Sequence, residues 1–379
     1  MSQVDTDHTE TPDAATAAQS GEPDADRPKK GKAPAPGGFR ARLRGAVPPR
    51  IAAMLVGALL LQLGFVLSYV GAFHHPQPHR IPIAVAAPER VAPGAVEKLN
   101  ALPDHPLKAT ATDEATARER LSDGEISGAL IVKPQGRTDT LLVAGAGGAS
   151  TATALETVLE KAEKSQHRGV SVVDAHPAQA GDARGLSSFY LVVGWTVGGY
   201  LLAALLGVSL GARPATARAA GRRLLAAVPY AVLSGLGGAA IVGPLLGALN
   251  GHFLALSAIG ALVVFGAAAV TIAFQVLFGV LGIGVTVLLF VVLGNPSAGG
   301  AYGPELLPPF WRALSPALPN GAATHAVRHV MYFSGHGITA NLAVLAAYAL
   351  GGALVAVLGV TLIRRRRAAG AERPAAVSG

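Results

Sequence analysis

The residues able to do chemistry are few and widely spaced. His325 and His329 stand four apart, so a helix would carry both rings on one face. Zinc hydrolases of the HExxH type place a glutamate beside the first histidine as general base. Here that position is Ala326, and the proton acceptor is missing. The pair therefore reads as part of an interfacial amphipathic helix. His74, His75 and His79 are interrupted by Pro76 and Pro78, which disfavour a compact chelate; they read as a stiff exit from the apolar segment before them. Gly145, Gly147 and Gly148 lie between a strand pattern and a helix pattern, like a dinucleotide fingerprint. Ser150 stands where the third glycine belongs, and an ordinary β–α turn is the expected structure. No GxxxxGK[ST] sequence occurs, since Gly31 and Lys32 are followed by Ala33, so any ATP hydrolysis must come from another subunit. No nucleophile–base–acid set emerges from the spacing, and the chain reads as a non-enzyme without metal or cofactor.

Composition explains why such residues are scarce. Mean hydropathy is +0.43, with 51% apolar and 14% charged residues, which points to an integral membrane protein. The absence of cysteine excludes disulfides and thiolate metal sites. A net charge of +8 would suit nucleic acid if it were clustered on a soluble surface. Instead Arg213, Arg218, Arg222 and Arg223, and a run of arginines at 364–367, sit beside apolar segments, where they set topology. No nucleic-acid partner is expected.

The apolar segments give a count of six crossings, one followed by five. Residues 51–73 form the first, long enough for a hydrocarbon core of about 30 Å. Residues 188–210 and 224–249 are the second and third, with Pro229 and Pro244 as kink positions in the third. Residues 253–293 would reach about 60 Å as one helix, so they are divided into two spans with a tight turn near 271–275. Residues 341–363 are the sixth. Gln62 and Gln275 are the intramembrane polar residues; for Gln62 an interhelical hydrogen bond is the expected role, with a place in a transport path as the alternative. Gly194/Gly198, Gly207/Gly211 and Gly243/Gly247 have the spacing that allows close helix crossing. No Asp, Glu, Lys or Arg falls well inside a span, which weakens a proton- or sodium-coupled carrier.

The remaining regions follow from this frame. Residues 1–50 lack apolar surface and read as a disordered cytoplasmic tail; 364–379 is a basic cytoplasmic tail. Residues 74–186 alternate strand and helix patterns and predict a small extracytoplasmic α/β domain. Strands are expected at 81–87, 107–112, 127–132, 138–145 and 170–175, with helices at 96–102, 113–123 and 150–165. Residues 187–363 hold the five-helix domain. Within it, prolines 296, 304, 308, 309, 316 and 319 break a stretch too apolar for a solvated loop. That stretch predicts an outer amphipathic hairpin at 304–334, with Phe310 and Trp311 as interfacial anchors and Pro308, Pro309 and Pro319 shaping a gate.

Three stretches carry a family resemblance: SYVGAFHHPQPHRIPIAVAAPE (68–89), SDGEISGALIVKP with TDTLLVAGAGG (122–148), and residues 294–335. Across roughly 50–365 the chain resembles a type-2 ABC transporter permease of the phage-infection-protein-like (YhgE/Pip) branch. The resemblance implies a multi-pass protein of the bacterial plasma membrane with both termini cytoplasmic. It further implies a homodimer surrounded by membrane lipids, a separate cytoplasmic ATPase subunit, and outward movement of a hydrophobic or amphiphilic substrate. The alternative is a non-transporting surface receptor or envelope scaffold acting through residues 74–186. The family supplies no catalytic residues to carry over.

Overall fold

The computed structural model describes residues 48–371; the tail read at 1–50 falls almost wholly outside them, and of the tail read at 364–379 the first half is described, as a continuation of the last helix. Contacts divide the chain after Leu55, and the packing described below concerns Val56 onward. The protein is mostly helical, with one small mixed sheet.

Helix α1 (Pro49–Phe73) leads into the sheet domain. Its elements are β1 (Ile81–Ala86), α2 (Ala92–Asn100), β2 (Leu107–Thr112), α3 (Glu114–Ser122), β3 (Gly128–Ile131), β4 (Thr138–Val143), α4 (Ala149–Lys164) and β5 (Gly169–Asp174). The strand order is β2-β1-β3-β4-β5, parallel except for the β3–β4 pair. Alternation along each strand divides the core between two faces. Ile81, Ile83 and Val85 join Leu130 and Leu141 on one face, under Leu99 of α2 and Leu155 and Leu159 of α4. Ala84, Ala86 and Ala129 face the other way, towards Ala117 and Leu121 of α3. Asp113 caps α3 by accepting from the Thr116 amide at 2.9 Å.

Beyond the sheet come α5 (Ser187–Leu210), α6 (Ala217–Ala240, prolonged by a π turn at Ile241–Leu245), α7 (Phe253–Phe278), α8 (Leu281–Ser297), α9 (Pro309–Leu314), α10 (Pro319–Tyr332) and α11 (Thr339–Ala371). Five helices, α1, α5, α6, α7 and α11, are long and apolar enough to cross a membrane; α8 is a shorter apolar helix. Pro229 sits within the continuous part of α6, whereas at Pro244 the helix relaxes into the π turn.

Helix α7 is the centre of the bundle. Gly199 of α5 and Gly235 of α6 let backbone approach backbone: a Cβ on either would strike the carbonyl of Val264 or Ser257. Of the glycine pairs expected to serve this purpose, Gly194 and Gly211 face open space, Gly207 is packed tightly against Gln275, and Gly243 packs against the Leu249 carbonyl of its own turn. The break after α7 also differs from expectation. The helix runs unbroken through 271–275 and turns at Gly279, whose φ of 65° suits glycine and whose amide donates to the Gln275 carbonyl. The polar residues at 271 and 275, where length alone places the turn, are satisfied inside the bundle. Thr271 Oγ1 donates to Ala267 O at 2.7 Å, and Gln275 Nε2 donates across to Ala203 O at 3.0 Å.

The two ends of the bundle are distinct. Gln179, after β5, exchanges hydrogen bonds with Asn250, which places the start of α7 beside the sheet domain. Arg213 donates to Leu277 O, so the α5–α6 loop and the α7–α8 turn share the far end.

Candidate functional site

The hairpin region positions the site, though not as a surface element. Helix α10 is buried along almost its whole length, between the bundle and the sheet domain. Its polar side chains read as a water-facing stripe in sequence, yet the structure gives them internal partners. Asn320 Nδ2 donates to Phe290 O at 3.1 Å and Asn295 Oδ1 at 2.8 Å, and Thr324 Oγ1 to Asn320 O at 2.8 Å. Both ends of the hairpin plug into the sheet domain, Leu306 into one face of the core and Phe333 into the other. Backbone amides of Gln77 and His79 donate to Leu306 and Glu305, so the segment leaving α1 is tied to the same hairpin.

Of the expected anchors, Phe310 is 58% exposed, but Trp311 is buried against Ala72 and Leu307, with the two rings edge to face. Pro308 precedes α9, Pro309 begins it, and Pro319 begins α10 in a buried position. Gln62 lies on the exposed side of α1 and makes no hydrogen bond among the described residues, whereas Gln275 is fully buried. His74 and His75 are exposed. Among the described residues no three His, Asp or Glu side chains gather closely enough to hold a metal.

One face of α10 opens onto a cavity of about 380 Å³ between α10 and the sheet domain. Gly321, His325, Arg328 and His329 recur at helical spacing along this wall. His325 and His329 stack at 4.0 Å between ring centroids. His329 Nδ1 bonds the His336 carbonyl at 2.7 Å, which fixes that ring, and His325 Nδ1 pairs with Asn341 Nδ2 at 3.0 Å. Arg328 is 6% exposed; its Nη2 donates to Gly299 O at 3.2 Å and Gly185 O at 3.4 Å, and its Nε has no partner. Arg312 of α9 joins the wall, held by donation from Nη2 to Leu307 O at 2.9 Å. Opposite stand Gly147, Gly148 and Thr151, where β4 turns into α4, and Glu305.

Burial sets the electrostatics of this region. His325 is the exposed residue of this wall, open to the cavity; desolvation by the protein around it, reinforced by His329 and Arg328, pushes it down to about 3. His329 is also pushed down by burial, against the opposing pull of the His336 carbonyl. Desolvation lowers Arg328 too, with Asp182 and Glu305 acting in the opposite sense. Behind it, Tyr332 donates to Asp182 Oδ2 at 2.8 Å, and burial raises the phenol. Asp182 Oδ1 accepts from the Ser187 amide at 2.9 Å, so the carboxylate anchors the start of α5.

The sequence held two signs of this site, the HAVRH spacing and the GAGG turn. Each alone matched a motif poorly, and only the fold brings them to one cavity. Comparison of the chain with protein-family models, curated proteins and solved structures finds no match.

Proposed function

We propose that the chain is the membrane-spanning subunit of an ATPase-coupled exporter that moves a hydrophobic or amphiphilic molecule outward. On this reading α8 completes six crossings, the sheet domain is extracytoplasmic, and both termini lie in the cytoplasm of a bacterial cell. Arg213, Arg218, Arg222 and Arg223 occupy or adjoin the loop at the bundle end far from the sheet, in keeping with the excess of basic residues on cytoplasmic loops.

The observation that carries the reading is the bracing of that loop. Arg213 Nη2 donates to Leu277 O at 3.1 Å, and Arg223 Nη2 to Gly211 O at 2.7 Å and Leu210 O at 3.0 Å. A push on 211–216 by a cytoplasmic ATPase would thereby reach α5, α6 and the glycine turn after α7 together. The substrate class is supported by a second cavity of about 380 Å³, walled by Val270, Phe274, Leu277, Leu289, Tyr348 and Val355 between α7, α8 and α11. The exposed Gln62 on α1 favours a homodimer, because a polar group in hydrocarbon is stabilised by a hydrogen-bonding partner on another helix. The same architecture is what the resemblance to phage-infection-protein-like permeases implies. A receptor role for residues 74–186 is less well supported, since the hairpin binds both faces of the sheet core to the bundle.

The test combines composition and transport. Purification in mild detergent is expected to retain an ATP-hydrolysing subunit, and deletion of the gene to raise cellular accumulation of a hydrophobic dye. Arg213→Ala should reduce both ATPase retention and efflux. A preparation without ATP hydrolysis, together with unchanged dye accumulation on deletion, would overturn the reading.

A further inference from the structure

We propose that the cavity between α10 and the sheet domain binds a phosphate group, either free or on a lipid headgroup. This site does not depend on the chain being a transporter.

The first observation is the start of α4. The turn at 145–147 delivers the chain to Gly148, whose φ of 143° suits glycine, and no side chain caps the sixteen-residue helix that follows. The first amides of a helix lack intrahelical acceptors and carry the positive end of its dipole, which is why such ends bind anions. Gly147, Gly148 and Thr151 place this end in the cavity wall; their amides donate to the Ala144, Gly145 and Gly148 carbonyls, so α4 contributes its dipole and the Thr151 hydroxyl to the cavity and not free amides.

The second observation is independent and lies across the cavity. Arg328 is 6% exposed, lines the cavity, has no carboxylate within ion-pair distance among the described residues, and donates only through Nη2, to two carbonyls; Nε is enclosed without an acceptor and Nη1 is uncommitted among the described residues. A buried guanidinium in that condition is costly, and a charge-assisted bond to an anion relieves the cost. Arg312 supplies a second guanidinium to the same wall. With Asn341 Nδ2 donating to His325 Nδ1, the neutral His325 ring carries its proton on Nε2, a further donor.

Donors from α4, α9 and α10 thus approach one space from three elements. That arrangement fits the oxygens of a tetrahedral anion better than a planar carboxylate, whose two oxygens are served by a single arginine fork. Glu305 is the opposing charge. Its carboxylate lies beside Gly303 and near Thr151, and the cavity keeps two guanidiniums to one carboxylate. Glu305 accepts a hydrogen bond from a protonated phosphate oxygen or from a hydroxyl on the group that bears it. The apolar part of the wall, Ile126, Ala144, Ala152 and Phe333, leaves room for such a substituent.

The full chain in detergent provides the assay, with thermal unfolding and calorimetry as readouts. One arm adds inorganic phosphate against chloride at matched ionic strength; the other adds short-chain phosphatidic acid against diacylglycerol. Wild type is expected to be stabilised in at least one arm, and Arg312→Gln and Arg328→Gln should each weaken that binding by about tenfold or more. A response to inorganic phosphate assigns a free ligand, and a response to phosphatidic acid alone assigns a headgroup. If Arg328→Gln does not fold, Arg312→Gln decides alone. No response in either arm, or an equal response in wild type and Arg312→Gln, overturns the site.

Discussion

Two helices of nearly equal hydropathy have opposite surroundings. The first span, Ile51–Phe73, has a hydropathy of 2.3, and Phe253–Phe278 of α7 has 2.4. On α1, Leu59, Leu60, Leu63, Val66, Leu67 and Val70 are each more than half exposed. On α7, Val263, Val264, Ala267, Ala268, Ala269 and Ile272 are all buried. The difference lies in side-chain size and in the neighbours' glycines. Leucines crowd α1, whereas α7 carries a run of Ala and Gly that α5, α6 and α11 can approach. Apolarity places a helix among lipids or in a bundle; small residues on both partners decide which. In a bilayer, where burying apolar surface between helices gains little over lipid, close packing is the discriminating force.

The comparison is broken most severely at a close crossing. Gly199→Val puts methyl groups against the Val264 carbonyl, with the Ala267 side chain as the next obstacle. It is expected to cost about 3 kcal/mol or more and to abolish a cooperative melt in detergent. Leu63→Val on α1, also in an apolar helix, should leave the melt in place. Equal damage from both would mean that α1 is as tightly packed as α7.

A smaller effect is expected at the buried amide. Gln275→Leu removes the bond to Ala203 but also the unpartnered Oε1, and the space beside Gly207 is already tight. The loss should be about 1 kcal/mol, measured by denaturant or thermal unfolding. Gln62→Leu should leave subunit stability unchanged while weakening self-association, detected by crosslinking or sedimentation in detergent. A fall in subunit stability with Gln62→Leu would place that side chain inside the fold.

Neither span contains an acid, lysine or histidine, so pH dependence should arise at the junction around α10. His325 is held near 3 in the folded chain against an ordinary 6.5, so the unfolded chain takes the proton first as pH falls. Its stabilising contribution is present above about 6.5 and is lost progressively as pH drops towards about 3. Melting temperature should fall across that window, and His325→Asn should flatten the fall. An unchanged slope in the variant would assign the dependence to other groups.

How much of this was legible in the sequence varies by region. The five strands follow from alternation and lie within a residue or two of the elements found, because local pattern and cap chemistry agree, as at Asp113. The α7–α8 turn was not legible. Gly279 is one glycine among many in an apolar run, and dividing that run by length places the turn near its middle, at Thr271 and Gln275, whose polar groups the bundle satisfies internally. The burial of α10 was hidden in the same way, since Asn320, Thr324 and Arg328 look water-facing until their carbonyl partners are in place. The cavity needed long-range information: Gly147 and Gly148 come from the sheet domain and His325 and Arg328 from the hairpin, far apart along the chain.

The central claim is sidedness, with the sheet domain outside the cell and the 211–216 loop inside, where an ATPase could reach it. The chain contains no cysteine, so single replacements report without background. Ser165 ends α4 and Ala215 lies in the loop, both exposed. A membrane-impermeant maleimide is expected to label Ser165→Cys in intact cells and Ala215→Cys only after permeabilisation. Labelling in the reverse order would contradict the account.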